Sequence, residues 1–231
     1  MTHTTGRAWA ICGLLAGCAG FAALVLESGL AMFGEEHVYA DAALMYAETY
    51  DRGFTIAVFL PLMVFAGLAA AVFGAGLRRL LADRSPAGSL LPGLAGWGTL
   101  LVAALSLVGS GPVTEVYFQV KHTYNPADPD IAMTLQRLLD TLPWVWTGLL
   151  LTTGAITVAA LRHGAAPRWL GWVSAVVTVL MVAVNVFPQQ YLTGYLGALW
   201  LIVAGAAFTA GGRRAPDAAT VSQLTGERRA A

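Results

Sequence analysis

The residues best suited to chemistry in this chain are acids and histidines that lie within or beside long apolar segments. Glu27 falls inside the first apolar segment, and Glu115 and His122 follow the third. Carboxyl and imidazole groups transfer protons near neutral pH, and an ionisable residue within a membrane segment indicates a functional site. We therefore predict Glu27, Glu115 and His122 as catalytic acid–base residues. For Glu27 the alternative is a structural acid bonded to a tyrosine, Lys121 or Arg137.

A second group of polar residues lies in the stretch 35–52, between the first two apolar segments. At about 100° per residue along a helix, His37, Asp41 and Glu48 fall within an arc of about 40°. One imidazole and two carboxylates can bind a divalent metal such as zinc, so this face is a candidate metal site. No motif requires a metal or any other cofactor. The alternative is an amphipathic helix at the membrane surface, with a solvated charged face.

Aromatic residues near these groups are candidates for binding an apolar substrate. Tyr117 and Tyr124 lie close to Glu115 and His122, Trp144 begins the fourth apolar segment, and Trp200 falls in the middle of the sixth. Carboxyl groups in an apolar, aromatic-lined cavity are suited to general-acid chemistry, as in membrane-bound terpene cyclases. These residues are therefore predicted to bind the substrate on which the acids act.

Composition restricts the class of protein that positions these residues. Hydrophobic residues make up 57% of the chain and charged residues 11%, whereas soluble domains carry about 25% charged residues. So little charge cannot cover a water-facing surface. The formal net charge is zero, which argues against a nucleic-acid partner. The two cysteines, Cys12 and Cys18, lie on different faces of the first apolar segment and cannot form a disulfide framework.

The apolar segments predict six membrane crossings. A helix that crosses the hydrocarbon core needs about 20 mostly apolar residues, and the last uncharged stretch, 169–212, is too long for one crossing. It is predicted to break at Pro188, because proline ends a helix. We therefore predict an all-α fold, in which residues 1–212 form a single transmembrane bundle and residues 213–231 form a disordered cytoplasmic tail. The predicted spans are about 9–33, 54–77, 90–110, 142–161, 169–187 and 191–211.

Charge in the connections predicts how the bundle is oriented. Ten of the 13 lysines and arginines lie in alternate connections and in the two terminal segments, and positive charge concentrates on the cytoplasmic side. Both termini are therefore predicted in the cytoplasm. Nine of the 13 acids fall on the opposite side, where we expect short interfacial helices. The predicted location is a cell membrane, crossed several times.

One short stretch carries a family resemblance. The segment 166–172, Ala-Pro-Arg-Trp-Leu-Gly-Trp, opens the fifth span after a basic loop and resembles a loop of bacterial six-helix membrane proteins of unknown function. The polar segments after the first and third spans resemble the layout of the same proteins. This resemblance implies a bacterial cytoplasmic (inner) membrane protein, and it provides no active residues to transfer.

Three classes of function fit these observations. The first is a membrane enzyme or binding protein that acts at the outer face on an apolar or lipid-like small molecule, by acid–base, cyclase-like chemistry. The second is a small transporter or channel, although polar residues near the middle of the spans are few. The third is a scaffold or regulatory subunit with no chemistry of its own, and the partner expected in every class is the lipid bilayer. Convergence of Glu27, Glu115 and His122 on one enclosed cavity would favour the first class, and a continuous polar path would favour the second.

Overall fold

The computed structural model describes residues 8–30, 41–121, 128–187 and 189–211, and every regular element in these ranges is a helix. The α-helices are α1 (Ala8–Leu30), α2 (Ala42–Asp51), α3 (Gly53–Arg84), α4 (Leu91–Lys121), α5 (Pro129–Leu139), α6 (Leu149–His163), α7 (Arg168–Val186) and α8 (Tyr191–Gly211). A 3-10 helix, Leu142–Gly148, precedes α6. The predicted tail, 213–231, lies outside the described residues.

Six helical stretches of the described residues are long and apolar enough to cross a membrane. They are α1, α3, Leu91–Phe118 of α4, the stretch Met133–His163, α7 and α8. The shortest, α7, has 19 residues, and a rise of about 1.5 Å per residue gives it nearly the thickness of the hydrocarbon core. The predicted all-α, multi-pass architecture is confirmed.

Two helices continue beyond the predicted spans. α3 runs to Arg84 instead of ending at residue 77, and α4 runs to Lys121 instead of ending at residue 110. The extension of α4 includes Pro112 and the buried residues Val113 and Val116. Because these valines pack inside the bundle, tertiary contacts offset the backbone hydrogen bond that proline removes.

The helices of the six spanning stretches form a closed ring, in which α6 represents the fourth stretch. Each packs against its neighbour in chain order, from α1 to α3, α4, α6, α7 and α8, and α8 packs against α1. The 3-10 helix contacts α4 and α8, and its Trp146 is fully buried. The indole ring of Trp146 lies against Gly20 of α1 and Gly194 and Gly197 of α8. These three glycines leave the volume that the largest side chain occupies.

The charged residues of the described ranges separate to the two ends of the ring. The acidic end, where α1 leads to α2, α4 to α5 and α7 to α8, contains Asp41, Glu48, Asp51, Glu115, Asp128, Asp130 and Asp140. The basic end, formed by the α3–α4 and α6–α7 connections, contains Arg78, Arg79, Arg84, Arg162 and Arg168. At the acidic end, the short helices α2 and α5 pack against each other and against α4.

The two short helices begin at aspartate caps. The Oδ1 atom of Asp41 accepts hydrogen bonds from the backbone N–H groups of Ala43 and Leu44 at the start of α2. At the start of α5, the side chain of Asp128 accepts a hydrogen bond from the Asp130 N–H at 3.0 Å. α5 therefore begins at Pro129, the first helical position, where the missing N–H has no cost.

Glycine at the α1–α8 contact gives a first testable prediction. A Cβ atom at Gly17 would lie 2.6 Å from Ile202 N and 2.7 Å from Ala198 O, which are backbone atoms that cannot move away cheaply. We expect Gly17→Ala to lower the free energy of unfolding by about 1–3 kcal/mol, because it overpacks this contact. A thermal unfolding midpoint measured in detergent tests the change.

The matched control is Gly154→Ala in α6. Beyond its own stretch of helix, no atom of the described residues lies within 4 Å of a Cβ at Gly154, so this variant gains helix propensity, up to about 1 kcal/mol, without a clash. Equal midpoints for the two variants would contradict the close approach of α1 and α8.

Candidate functional site

Glu27 is buried within the ring at the acidic end. Its side chain is 2% exposed, and it shares one face of α1 with the buried residues Ala23 and Leu30. Both neighbours belong to an apolar cluster drawn from four helices and the 3-10 helix: Ala23, Leu30, Ile56, Phe59, Met63, Val113, Val116, Leu139 and Leu142. The packing of α1, α3, α4 and α5 therefore places a carboxyl group in an apolar environment.

Asp140 brings a second carboxyl group to this region. It is 8% exposed and follows α5 directly, between Leu139 and Leu142 of the same apolar cluster. The chain turns here from α5 into the 3-10 helix, and the Thr141 N–H donates to the carbonyl of Leu138. Glu27 and Asp140 are both flanked along the chain by members of this one apolar cluster, so their carboxyl groups lie in the same region of the bundle. We call Glu27 and Asp140 the carboxyl pair.

The carboxyl of Glu27 has an unused acceptor. Its Oε1 atom is buried and receives no hydrogen bond from any residue that the structure describes. A buried polar atom without a partner costs about 1–3 kcal/mol of stability. We therefore expect Glu27 to lower the stability of the bundle, and its Oε1 atom is available to accept a hydrogen bond from a bound molecule.

Four other buried polar atoms lack a hydrogen-bond partner within the described ranges: Nη1 of Arg52, Oγ of Ser85, Oγ of Ser106 and Nε1 of Trp146. Of these, Ser106 in α4 and Trp146 in the 3-10 helix lie within the bundle. Ser106 faces Gly67 of α3, and Trp146 faces Gly20 of α1, seven residues before Glu27. Seven residues of helix correspond to about 10 Å, so Trp146 lies deeper in the bundle than the carboxyl pair.

Glu115, the other predicted catalytic residue that the structure describes, does not lie in an enclosed site with Glu27. Glu115 is exposed on α4, whereas Glu27 is buried. Tyr117 is half-buried beside the apolar cluster and makes an edge-on ring contact with Phe118, at 5.7 Å between centroids. His122 and Tyr124 lie outside the described residues.

The acids predicted to bind a metal have local partners. Asp41 caps α2, as described above, and Glu48 forms an ion pair with Arg52 at 3.4 Å. His37, the predicted imidazole ligand, lies outside the described residues. Among the residues that are described, no three histidine, cysteine or acid side chains lie close enough to hold a metal ion. The roles seen for Asp41 and Glu48 are those of a helix cap and a surface ion pair.

The two predicted tryptophans occupy different environments. Trp144 is exposed at the start of the 3-10 helix and makes an edge-on contact with Tyr191, with 6.2 Å between ring centroids. Trp200 is buried in the core, where its Nε1–H donates to Ser174 Oγ at 2.9 Å and its ring packs edge-on against Phe73. Trp200 thus fills the centre of the ring, and its polar atom is already bonded.

A row of polar residues on α7 was not anticipated from the sequence. Thr178 donates to Thr153 of α6 at 2.8 Å. Asn185 accepts from Thr147 at 3.3 Å and donates to Thr193 of α8 at 3.0 Å. Ser174, Thr178 and Asn185 are spaced by four and seven residues, which places them on one helix face. That spacing was the available signal, and the row connects α7 to its two neighbours.

Fold and site together define a multi-pass helical membrane protein with a buried carboxyl pair near one end of its bundle. Comparison of the chain with family models, with curated proteins and with solved structures found no match. The function is therefore argued from the site.

The cost of Glu27 gives a second testable prediction. We expect Glu27→Leu to raise the midpoint of thermal unfolding by several degrees, because leucine removes an unpaired acceptor from an apolar cluster. Glu115→Leu, the same change at an exposed position of α4, is the control and should leave the midpoint nearly unchanged. A lower midpoint for Glu27→Leu would mean that the carboxyl stabilises the fold.

Proposed function

We propose that this chain is a membrane-embedded binding protein or enzyme whose site is the carboxyl pair, and that it takes an apolar, lipid-like molecule with a hydrogen-bond donor. The observation that carries the proposal is Oε1 of Glu27, which has no hydrogen-bond partner among the described residues, in a residue that is 2% exposed. An intramembrane acid indicates function by default, and we expect this one to lower stability instead of adding to it.

The surroundings of the pair suit such a ligand. The neighbouring side chains are apolar, so they would hold a hydrocarbon body while a carboxyl accepts the hydrogen bond of its head group. Asp140 lies between Leu138 and Trp144, which are both exposed. The segment that contains Asp140 thus borders the bilayer on one side and Glu27 on the other. This arrangement supports entry of the ligand from the membrane.

Two carboxyl groups in one site also support acid–base chemistry. Where two such groups have different environments, one can donate a proton while the other accepts one. Glu27 lies within the apolar cluster, whereas Asp140 lies at a turn between two helices. We propose that Glu27 contacts the ligand and that Asp140 is its partner in proton transfer, which agrees with the cyclase-like chemistry expected from the sequence.

A small transporter is the second candidate. The polar row of α7, from Ser174 to Asn185, favours it, because polar residues along a span are a feature of transport pathways. However, the side chains of Ser174, Thr178 and Asn185 are hydrogen-bonded to Trp200, Thr153 and Thr193, respectively. The row therefore connects helices and has few donors left for a cargo.

The binding of farnesol, an apolar isoprenoid alcohol, tests the proposed function. Its hydroxyl group can donate to Glu27, whereas farnesyl methyl ether has the same hydrocarbon body and no donor. We expect the purified protein to bind farnesol about tenfold more tightly than the ether, as one hydrogen bond to a charged or buried acceptor predicts. Quenching of tryptophan fluorescence measures both affinities.

Two variants make this test specific. Glu27→Leu should bind the alcohol and the ether equally, because the acceptor is lost, while the exposed control Glu115→Leu should keep the tenfold difference. Equal binding of the two compounds to the unaltered protein would overturn the proposal and favour a scaffold. If protons entered proteoliposomes containing the protein when the alcohol was added, the result would favour the transporter.

For the orientation, we propose that the basic end is cytoplasmic, with both termini inside, and that α2 and α5 lie at the outer interface. The arginines of the α3–α4 and α6–α7 connections support this assignment. The carboxyl pair would then face the outer half of the bilayer. The resemblance of segment 166–172 to bacterial six-helix proteins supports a bacterial inner membrane.

Reporter fusions test this orientation. Alkaline phosphatase, which is active only outside the cytoplasm, should be active when fused after Asp128 and inactive when fused after Asp83. A green fluorescent protein fusion should show the opposite pattern, because it fluoresces when folded inside. If both fusion positions proved cytoplasmic, the six-span arrangement with both termini inside would be contradicted.

A further inference from the structure

The basic end carries a strong local excess of positive charge. Its five arginines, Arg78, Arg79, Arg84, Arg162 and Arg168, are all exposed. Asp83 is the only acid that the described residues place at this end. Because the described side chains at this end supply so little negative charge, a bound anionic partner is the principal way to neutralise these guanidinium groups.

One hydrogen bond joins Arg84 to the connection that Arg162 and Arg168 flank. Nη1 of Arg84, at the end of α3, donates to the carbonyl of Ala165 at 3.3 Å. Ala165 lies in the α6–α7 connection, which Arg162 and Arg168 flank. A guanidinium group has five N–H donors, so this bond fixes Arg84 and leaves donors for a second partner. The arrangement suits a phosphate, which arginine binds through two parallel hydrogen bonds.

An exposed apolar stripe runs along α7 from this basic group. It consists of Trp169, Trp172, Val176, Val179 and Val186, all of them exposed. The polar row described above occupies a different face of α7 and packs inside the ring. The stripe from Trp169 to Val179 is about 15 Å long, which is half the thickness of the hydrocarbon core.

We infer that an anionic phospholipid binds at this surface, with its phosphate at Arg84 and Arg168 and its acyl chains along the stripe of α7. Charge selects an anionic over a zwitterionic lipid, because each arginine near an anionic headgroup adds to binding. The exposed indoles of Trp169 and Trp172 lie at the depth of the headgroups, as interfacial tryptophans do. This site involves the end of the bundle opposite to the carboxyl pair and does not depend on the proposed function.

The inference is tested with the delipidated, detergent-solubilised full chain. Native mass spectrometry measures the binding of phosphatidylglycerol, an anionic lipid, and of phosphatidylcholine, a zwitterionic one with the same chains. We expect phosphatidylglycerol to bind at least tenfold more tightly. Arg84→Gln together with Arg168→Gln should weaken its binding about 30-fold, roughly fivefold for each charge removed. Inorganic phosphate at the same concentration should not compete, since it has no acyl chains.

Three controls separate the outcomes. Lys121→Gln, which removes a positive charge at the acidic end, and Glu27→Leu should both leave the lipid affinity unchanged. The double variant Arg84→Lys with Arg168→Lys keeps the positive charge and should retain most of the binding. Retained binding would show that the double glutamine variant loses the lipid because its charge is lost and not because the protein misfolds. Equal binding of the two lipids, or unchanged binding in the double glutamine variant, would overturn the inference. Displacement by inorganic phosphate would show a phosphate site without a lipid.

Discussion

Hydrocarbon offers no hydrogen-bond partners, so every polar group inside a membrane bundle needs a partner within the protein or a ligand. α7 meets this requirement through its neighbours. Ser174 accepts from Trp200, Thr178 donates to Thr153, and the Asn185 side chain bonds to residues of the 3-10 helix and α8. Hydrogen bonds between membrane helices are worth about 0.6–1.7 kcal/mol each. This row therefore holds a helix that buries few of its apolar side chains.

Space for one large side chain determines the centre of the ring. The 3-10 helix inserts Trp146 between α1 and α8, and glycine at positions 20, 194 and 197 provides the space. A 3-10 helix rises by about 2.0 Å per residue instead of 1.5 Å, so Leu142–Gly148 covers more depth than an α-helix of equal length. This segment links the carboxyl pair, through Asp140, to the packed core around Trp200.

The sequence is sufficient to predict features that depend on composition. It is not sufficient where contacts between residues far apart in the chain determine the structure. Six long apolar helices follow from hydropathy, because a membrane span needs only length and low charge. The length of α4 does not, since Val113 and Val116 extend it past Pro112 by packing against other helices. Glu27 is identifiable as an acid inside a span, but Asp140 is not identifiable as its neighbour. Helical periodicity relates residues of one helix, whereas this pair joins residues more than 100 positions apart.

At the predicted metal face, helical periodicity does not reveal the short-range partners of the acids. Asp41 and Glu48 share a helix face by periodicity, yet Asp41 bonds to the N–H groups that begin α2, and Glu48 pairs with Arg52 one turn later. Short-range partners of this kind are common for acids at helix ends, and an arc of angles cannot reveal them.

Exposure determines how informative each acid is about function. Exposed carboxylates such as Glu115, Asp128 and Asp130 are solvated or paired locally, so their presence needs no ligand to explain it. Glu27 is buried, and its Oε1 has no partner in the described ranges. We expect a leucine to fit the apolar cluster at lower free energy. Under the proposed function, the fold does not require Glu27, and the molecule that it binds explains its presence at this position.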